Sequence, residues 1–115
     1  MPAKDPRFYL THIRECCERV LDYTAGLGSN WPDNRIVLDA VCRNLEIMGE
    51  AAARLEVQFR QAHPEIPWRS IIDARNILIH AYDQVQPAVL CGIVERDVPE
   101  LLAAVRRLLE AEEPR

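Results

Sequence analysis

The chain has 115 residues, enough for one domain with a modest core. It is 49% hydrophobic and 28% charged, as globular proteins are, and carries a net charge of −4. That charge argues against a broad, non-specific nucleic-acid binder, which would be basic, and leaves room for a local basic site.

Met1–Pro6 is a short polar lead. A first helix is expected from Pro6 or Arg7 to Thr24, where Leu10, Ile13, Cys17, Val20 and Leu21 recur at helical spacing. Gly26, Gly28, Ser29, Asn30 and Pro32 break it, and Asp33 or Asn34 can cap the next. A long second helix is expected over Asn34–Phe59, with the apolar seam Leu38, Val41, Leu45, Met48, Ala52, Leu55 and Phe59. A second stripe runs beside the seam through Val37, Ala40, Asn44, Ile47 and Ala51. So wide an apolar surface is either a packing face for another helix of the chain or a subunit interface. Gly49 lies inside this helix and should cost about 1 kcal/mol against Ala, for which close helix approach is the natural compensation. Glu50 follows it, either as a salt-bridge partner for an active-site Arg or as a solvated surface residue.

Gln61–Pro67 is a loop that Pro64 and Pro67 keep extended. Trp68 starts a third helix that continues to about Tyr82, with Ile71, Ile72, Leu78 and Ile79 inward. A fourth starts near Gln86, with Pro87 in its first turn and apolar residues recurring from Val89 to Leu109. Pro99 should kink or split it near Arg96, and Glu110–Arg115 reads as a frayed polar tail. There is no internal repeat and no strand-like alternation. The expectation is a single all-α domain over residues 1–115, an antiparallel bundle of four helices, or five if Pro99 splits the last. Cys16, Cys17, Cys42 and Cys91 form no C-x-x-C and lie in apolar helical contexts, so packed, reduced thiols are expected, with Cys16 and Cys17 on different sides of their helix. No apolar run approaches membrane-spanning length and no secretory signal is seen, so a cytoplasmic protein without a membrane partner is expected.

The chemistry concentrates in Asp73–Asp83, DARNILIHAYD. Arg75, Asn76, His80 and Tyr82 fall within two helical turns among Ile72, Ile77, Leu78 and Ile79. Arg offers a fixed charge and a planar fork of donors that suits phosphate. His is the side chain whose ordinary pKa allows proton transfer near neutral pH. Together they can bind a phosphodiester and move a proton beside it. The plainer alternative is an amphipathic helix with an Arg on its rim and a satisfied His at its end. On a regular helix, Arg75 and His80 point about 140° apart with about 7.5 Å of rise between them, a poor clamp for one phosphate. Two copies of this helix across a two-fold axis would place two Arg and two His around one cleft. Aromatic residues are few (two Trp, three Tyr, two Phe), so a base-stacking platform is not expected. Thirteen of the fourteen cations are Arg, the exception being Lys4.

With PEIPW at Pro64–Trp68, AVCRNLEIMGEAAARL upstream and VERDVPELLAAV downstream, the chain resembles the HepT-like ribonuclease toxins of the HEPN superfamily over roughly Phe8 to Leu109. The resemblance implies a symmetric homodimer and metal-independent RNA cleavage, with RNA and not DNA as substrate and no cofactor. In that reaction the ribose 2′-OH attacks the adjacent phosphorus. His80 acts as general base or acid, Arg75 stabilises charge on the phosphoryl oxygens, and Asn76 and Glu50 support them. The resemblance also implies a cognate nucleotidyltransferase antitoxin, of the MntA type, that adds AMP to the Tyr of R-x-x-x-x-H-x-Y, here Tyr82. Ligation of a metal by His80 with Asp83 is disfavoured, because no paired carboxylate–His repeat accompanies them. The alternative from another class is a non-catalytic, dimeric helical adaptor that docks a nucleotidyltransferase.

Overall fold

The computed structural model describes residues 5–111, with the side chain of Tyr82 outside that description. Six α-helices follow one another: α1 Pro6–Thr24, α2 Arg35–Arg54, α3 Val57–Ala62, α4 Trp68–His80, α5 Pro87–Gly92 and α6 Val98–Ala111. Among the described residues there is no strand, and the chain is an all-α bundle. No helix of the described residues is long and apolar enough to cross a membrane.

Local chemistry sets most boundaries. Asp5 caps α1 by accepting the Arg7 N–H at 2.9 Å, and Pro6 sits at the first helical position, where no N–H is needed. Gly26 and Gly28 take positive φ (78° and 60°) and turn the chain out of α1. A 3₁₀ segment, Gly28–Asp33, buries Trp31. Asn34 then caps α2 through the Val37 N–H at 3.2 Å. Trp68 opens α4 from a buried position and donates its indole N–H to the His63 carbonyl at 3.0 Å.

Three expectations about boundaries are corrected. The second helix does not run to Phe59: it ends at Arg54, and buried Leu55 is extended (φ −64°, ψ 142°). That turn redirects the chain so that α3 lays Phe59 against His63 and Trp68, with ring centroids 4.6 and 6.4 Å away. The third helix stops at His80, and Tyr82–Gln84 forms a separate 3₁₀ turn. The last helix persists to Ala111, beyond the start of the expected tail, whose residues 112–115 lie outside the described ones.

Pro99 breaks the final helix as expected, but through a π turn. Ile93–Asp97 is π-helical, and the Val98 N–H reaches back to the Ile93 carbonyl. Proline has no N–H and its ring collides with the carbonyl four residues earlier, so one wide turn clears both conflicts without ending the helix.

The core is layered through α2, which packs on α1 on one side and α4 on the other, while α6 closes on α1. The seam of α2 is internal: Val41, Leu45, Met48, Ala52 and Leu55 are buried. The second stripe is internal as well. Asn44 and Ala51 are buried, Val37 and Ile47 pack against the core, and the Asn44 amide donates to the Ala40 carbonyl at 2.8 Å. Flanking helices of the same chain therefore cover most of the wide apolar surface of α2, while Ile47 and Ala51 also line a groove on it. Cys16 and Cys17 are both fully buried, although adjacent, because α1 is covered by α2 and by α6. Burial pushes the Cys17 thiol up to about 12 and the Cys42 thiol up to about 11. All four cysteines are free thiols.

The tightest crossing is between α2 and α4 at Gly49. A Cβ built there would overlap the Cβ of Arg75 and lie 2.9 Å from both the Arg75 Cγ and the Ile71 carbonyl oxygen. These atoms are the first carbons of a helical side chain and a backbone oxygen, so they cannot step aside cheaply. Gly49→Ala should therefore destabilise the fold by about 1–3 kcal/mol despite Ala's better helix propensity. A denaturant midpoint equal to or above wild type would show that α4 can shift without penalty.

Candidate active site

Helix α4 supplies Arg75 from the face that meets α2. Its guanidinium donates from Nη1 to the Asn76 Oδ1 at 2.7 Å and pairs through Nη2 with the Glu50 Oε2 at 2.9 Å. The Nε is buried with no hydrogen-bond partner among the described residues. Glu50 also accepts from the Arg54 Nε at 2.9 Å, through its other oxygen. One carboxylate thus bridges two guanidiniums, one from α2 and one from α4. Glu50 is the salt-bridge partner of Arg75 and not an isolated surface residue. Asn76 fixes the rotation of the same guanidinium from its own helix.

Arg75 lines a groove of about 470 Å³ between the start of α1, the outer face of α2 and α4. The wall from α1 carries Phe8, Tyr9 and His12, the wall from α2 carries Arg43, Glu46, Glu50 and Arg54, and α4 adds Ile79 beside Arg75. The apolar pattern of α4 puts Ile79 inward, and the structure corrects this. Ile79 is exposed because Leu78 takes the buried position and the next residue is rotated by about 100°. The sequence pattern does not single out Phe8, His12, Arg43 or Arg54. Arg43, Glu46, Glu50 and Arg54 do share one face of α2 at helical spacing, but nothing in the sequence says which helix ends come to lie against that face.

His80 is exposed at the last position of α4 and is not among the residues lining the groove. The structure therefore brings Arg75, Asn76 and Glu50 together within one protomer and leaves His80 outside that group. The backbone of Tyr82 opens the 3₁₀ turn two residues later, followed by exposed Asp83 and Gln84. Among the described residues, no group of three or more His, Cys, Asp or Glu could hold a metal ion.

The chain as a whole is similar to known proteins. Residues 13–108 match the family described as Ribonuclease HepT-like. The chain is 34% identical over 110 residues to "Putative RNase TTE0752" of Caldanaerobacter subterraneus subsp. tengcongensis, covering 95% of this chain and 98% of that one. It is 35% identical over 102 residues to "Putative RNase MJ1380" of Methanocaldococcus jannaschii, covering 88% and 94% of the two chains. It is 37% identical over 101 residues to "Probable ribonuclease HepT" of Thermococcus cleftensis, covering 87% and 92%. No solved structure matches the chain significantly. The class defined by these matches and the helical fold is that of RNA-cleaving nucleases of HEPN type. The chain belongs to the HepT-like ribonuclease family.

The bridge at Glu50 sets a pH dependence. The hydrogen bond from Arg54, and then the Arg75 charge, hold the Glu50 carboxyl below the ordinary glutamate range, against an opposing push from partial burial. A lowered folded pKa means that the stabilisation is fully present above the unfolded value. It is lost as pH falls through the lowered folded value. Glu50→Gln should be slightly less stable than wild type at neutral pH and should lack this part of the acid-side decline. Urea midpoints measured on both proteins from neutral to acid pH test this, and parallel curves would show that the bridge contributes nothing.

Proposed function

We propose that this protein is the cytoplasmic, metal-independent ribonuclease toxin of a toxin–antitoxin pair, cleaving RNA at a cleft shared by two copies of the chain. The observation that carries the reading is the anchored Arg75: Glu50 and Asn76 hold its guanidinium at an open groove, while exposed His80 is not among the groove's lining residues. A guanidinium so held can stabilise charge on phosphoryl oxygens without reorganising when the reaction occurs. His80 moves the proton, taking it from the attacking 2′-OH or giving it to the leaving 5′-oxygen. The nucleophile belongs to the substrate, so the reaction requires no metal-bound water. Because Arg75 and His80 diverge within one protomer, the productive pair is the Arg75 of one copy with the His80 of the other.

His80→Ala and Arg75→Ala should each lower RNA cleavage by about a hundredfold or more while leaving the fold intact. Wild-type cleavage should survive EDTA and leave a 2′,3′-cyclic phosphate or its hydrolysis product. Co-refolding the two inactive variants should restore part of the activity, because a mixed dimer contains one complete Arg75–His80 pair. Loss on chelation would exclude the metal-free route, and a mixed sample as inactive as its components would exclude the shared cleft.

Neutralisation is assigned to a cognate nucleotidyltransferase antitoxin that transfers AMP from ATP to the Tyr82 hydroxyl, with release of pyrophosphate. The 3₁₀ turn after α4 offers it an exposed, polar stretch at Asp83 and Gln84. A phosphodiester and an adenosine two residues from His80 would repel and occlude an RNA phosphate. Intact-mass spectrometry after co-expression with the partner should show one or more added AMP units on wild type and none on Tyr82→Phe, which should stay toxic. A Tyr82→Phe protein that the partner still silences would reduce the antitoxin's action to docking.

A further inference from the structure

The groove that contains Arg75 has more in it than the cleavage reaction uses. Its α1 wall carries the Phe8 ring, 43% exposed, set edge-on to the His12 imidazole four residues later at a centroid distance of 4.7 Å. Tyr9 flanks Phe8 at 5.3 Å, nearly perpendicular. The opposite wall carries Arg43 and Arg54, both well exposed. Each is steadied by a carboxylate of its own helix: Arg43 Nη1 by Glu46 at 3.3 Å, and Arg54 Nε by Glu50 at 2.9 Å. Each pair uses one nitrogen of a three-nitrogen fork, so the other edges can meet an anion. A wall with a flat ring and an imidazole opposite a wall with two oriented guanidiniums matches one nucleotide, base on one side and phosphates on the other. The groove is continuous with Arg75, and through Glu50 the Arg54 and Arg75 guanidiniums share one carboxylate.

We propose that this groove is the substrate subsite for the nucleotide next to the scissile bond: the base stacks on the Phe8–His12 pair, and the flanking phosphates lie against Arg43 and Arg54. The proposal rests on the reading of Arg75 as the phosphate-binding group of an RNase. It needs no net positive charge. Three guanidiniums converge in the groove of a chain whose overall charge is −4.

The test measures binding apart from cleavage. Full-length His80→Ala protein, which should bind without cutting, is titrated with a short, labelled single-stranded RNA of mixed sequence at several salt concentrations. Adding Phe8→Ala should weaken binding about tenfold, within the range of base–aromatic stacking, and leave the salt slope unchanged. Phe8→Trp should restore affinity, which separates stacking from any fault in folding. Adding Arg43→Ala or Arg54→Ala should weaken binding and reduce the slope of log affinity against log salt by about 0.7 for each phosphate no longer neutralised. In the cleaving protein Phe8→Ala and Arg43→Ala should raise KM by more than they lower kcat. Binding and salt slope unchanged in all three variants would overturn the subsite, even with His80-dependent cleavage intact. Wild type that binds RNA through these residues but shows no His80-dependent cleavage would leave the subsite standing and overturn the RNase reading.

Discussion

The arrangement depends on the absence of one side chain. Gly49 lets the backbone of α4 settle against α2 until the Arg75 Cβ occupies the space a methyl group would take. Helix propensity opposes a mid-helix Gly by about 1 kcal/mol, so the residue is a local cost offset by tertiary packing. The close crossing does two things at once. It places the base of Arg75 beside α2, and it brings the next residue of α2, Glu50, within 2.9 Å of the guanidinium. Structure and site are therefore joined at the same two adjacent residues, Gly49 and Glu50.

The charge pattern follows from the same packing. An acidic protein is a poor RNA binder on average, because affinity for a polyanion is largely electrostatic. Here the acidic groups near the groove do more than oppose the substrate. Glu46 and Glu50 are i+3 and i−4 partners of Arg43 and Arg54, spacings at which helical side chains meet, and they hold long, entropically costly side chains in place. On the proposed reading, a phosphate arriving there meets guanidiniums each paired through one nitrogen and competes with carboxylates for only part of each fork. On the same reading, this arrangement favours selectivity over affinity and lets an overall charge of −4 coexist with a phosphate-binding groove.

Much of this architecture is legible in the sequence. The apolar repeats of α1, α2 and α6, the Asn34 cap, Pro87 at the start of α5 and the disturbance at Pro99 all arise from interactions within about one turn of chain. The sequence leaves Glu50 open between a salt bridge to an active-site Arg and a solvated surface position, and the α2–α4 crossing decides for the salt bridge to Arg75. What is not legible depends on contacts between distant segments. No Gly or Pro marks the end of α2 at Arg54; burial of Leu55 and the tilted packing of Phe59 against His63 and Trp68 accompany it. The second apolar stripe looks available to a partner because the sequence does not state that α1 and α4 flank α2. The groove is hidden for the same reason, since Phe8 and Arg75 are distant in sequence and meet only through that three-helix order.

The remaining constraint is the rigidity of α4 itself. Arg75 and His80 are five residues apart on one regular helix, so no rotamer choice turns both toward the same point without stretching one of them back along the axis. Within the protomer, Arg75 is committed to α2 by Glu50, and His80 ends the helix in an exposed position. The surface near His80 is not that of an ordinary solvated helix: Ile77 is 52% exposed and Ile79 47%, while the core of α4 is held by Trp68 and Leu78. On the proposed reading, a second copy brings its own Arg75 toward this His80. The geometry that makes one protomer a poor enzyme is then also what confines activity to the assembled pair. A modification at Tyr82, two residues beyond His80, would then reach both halves of the site at once.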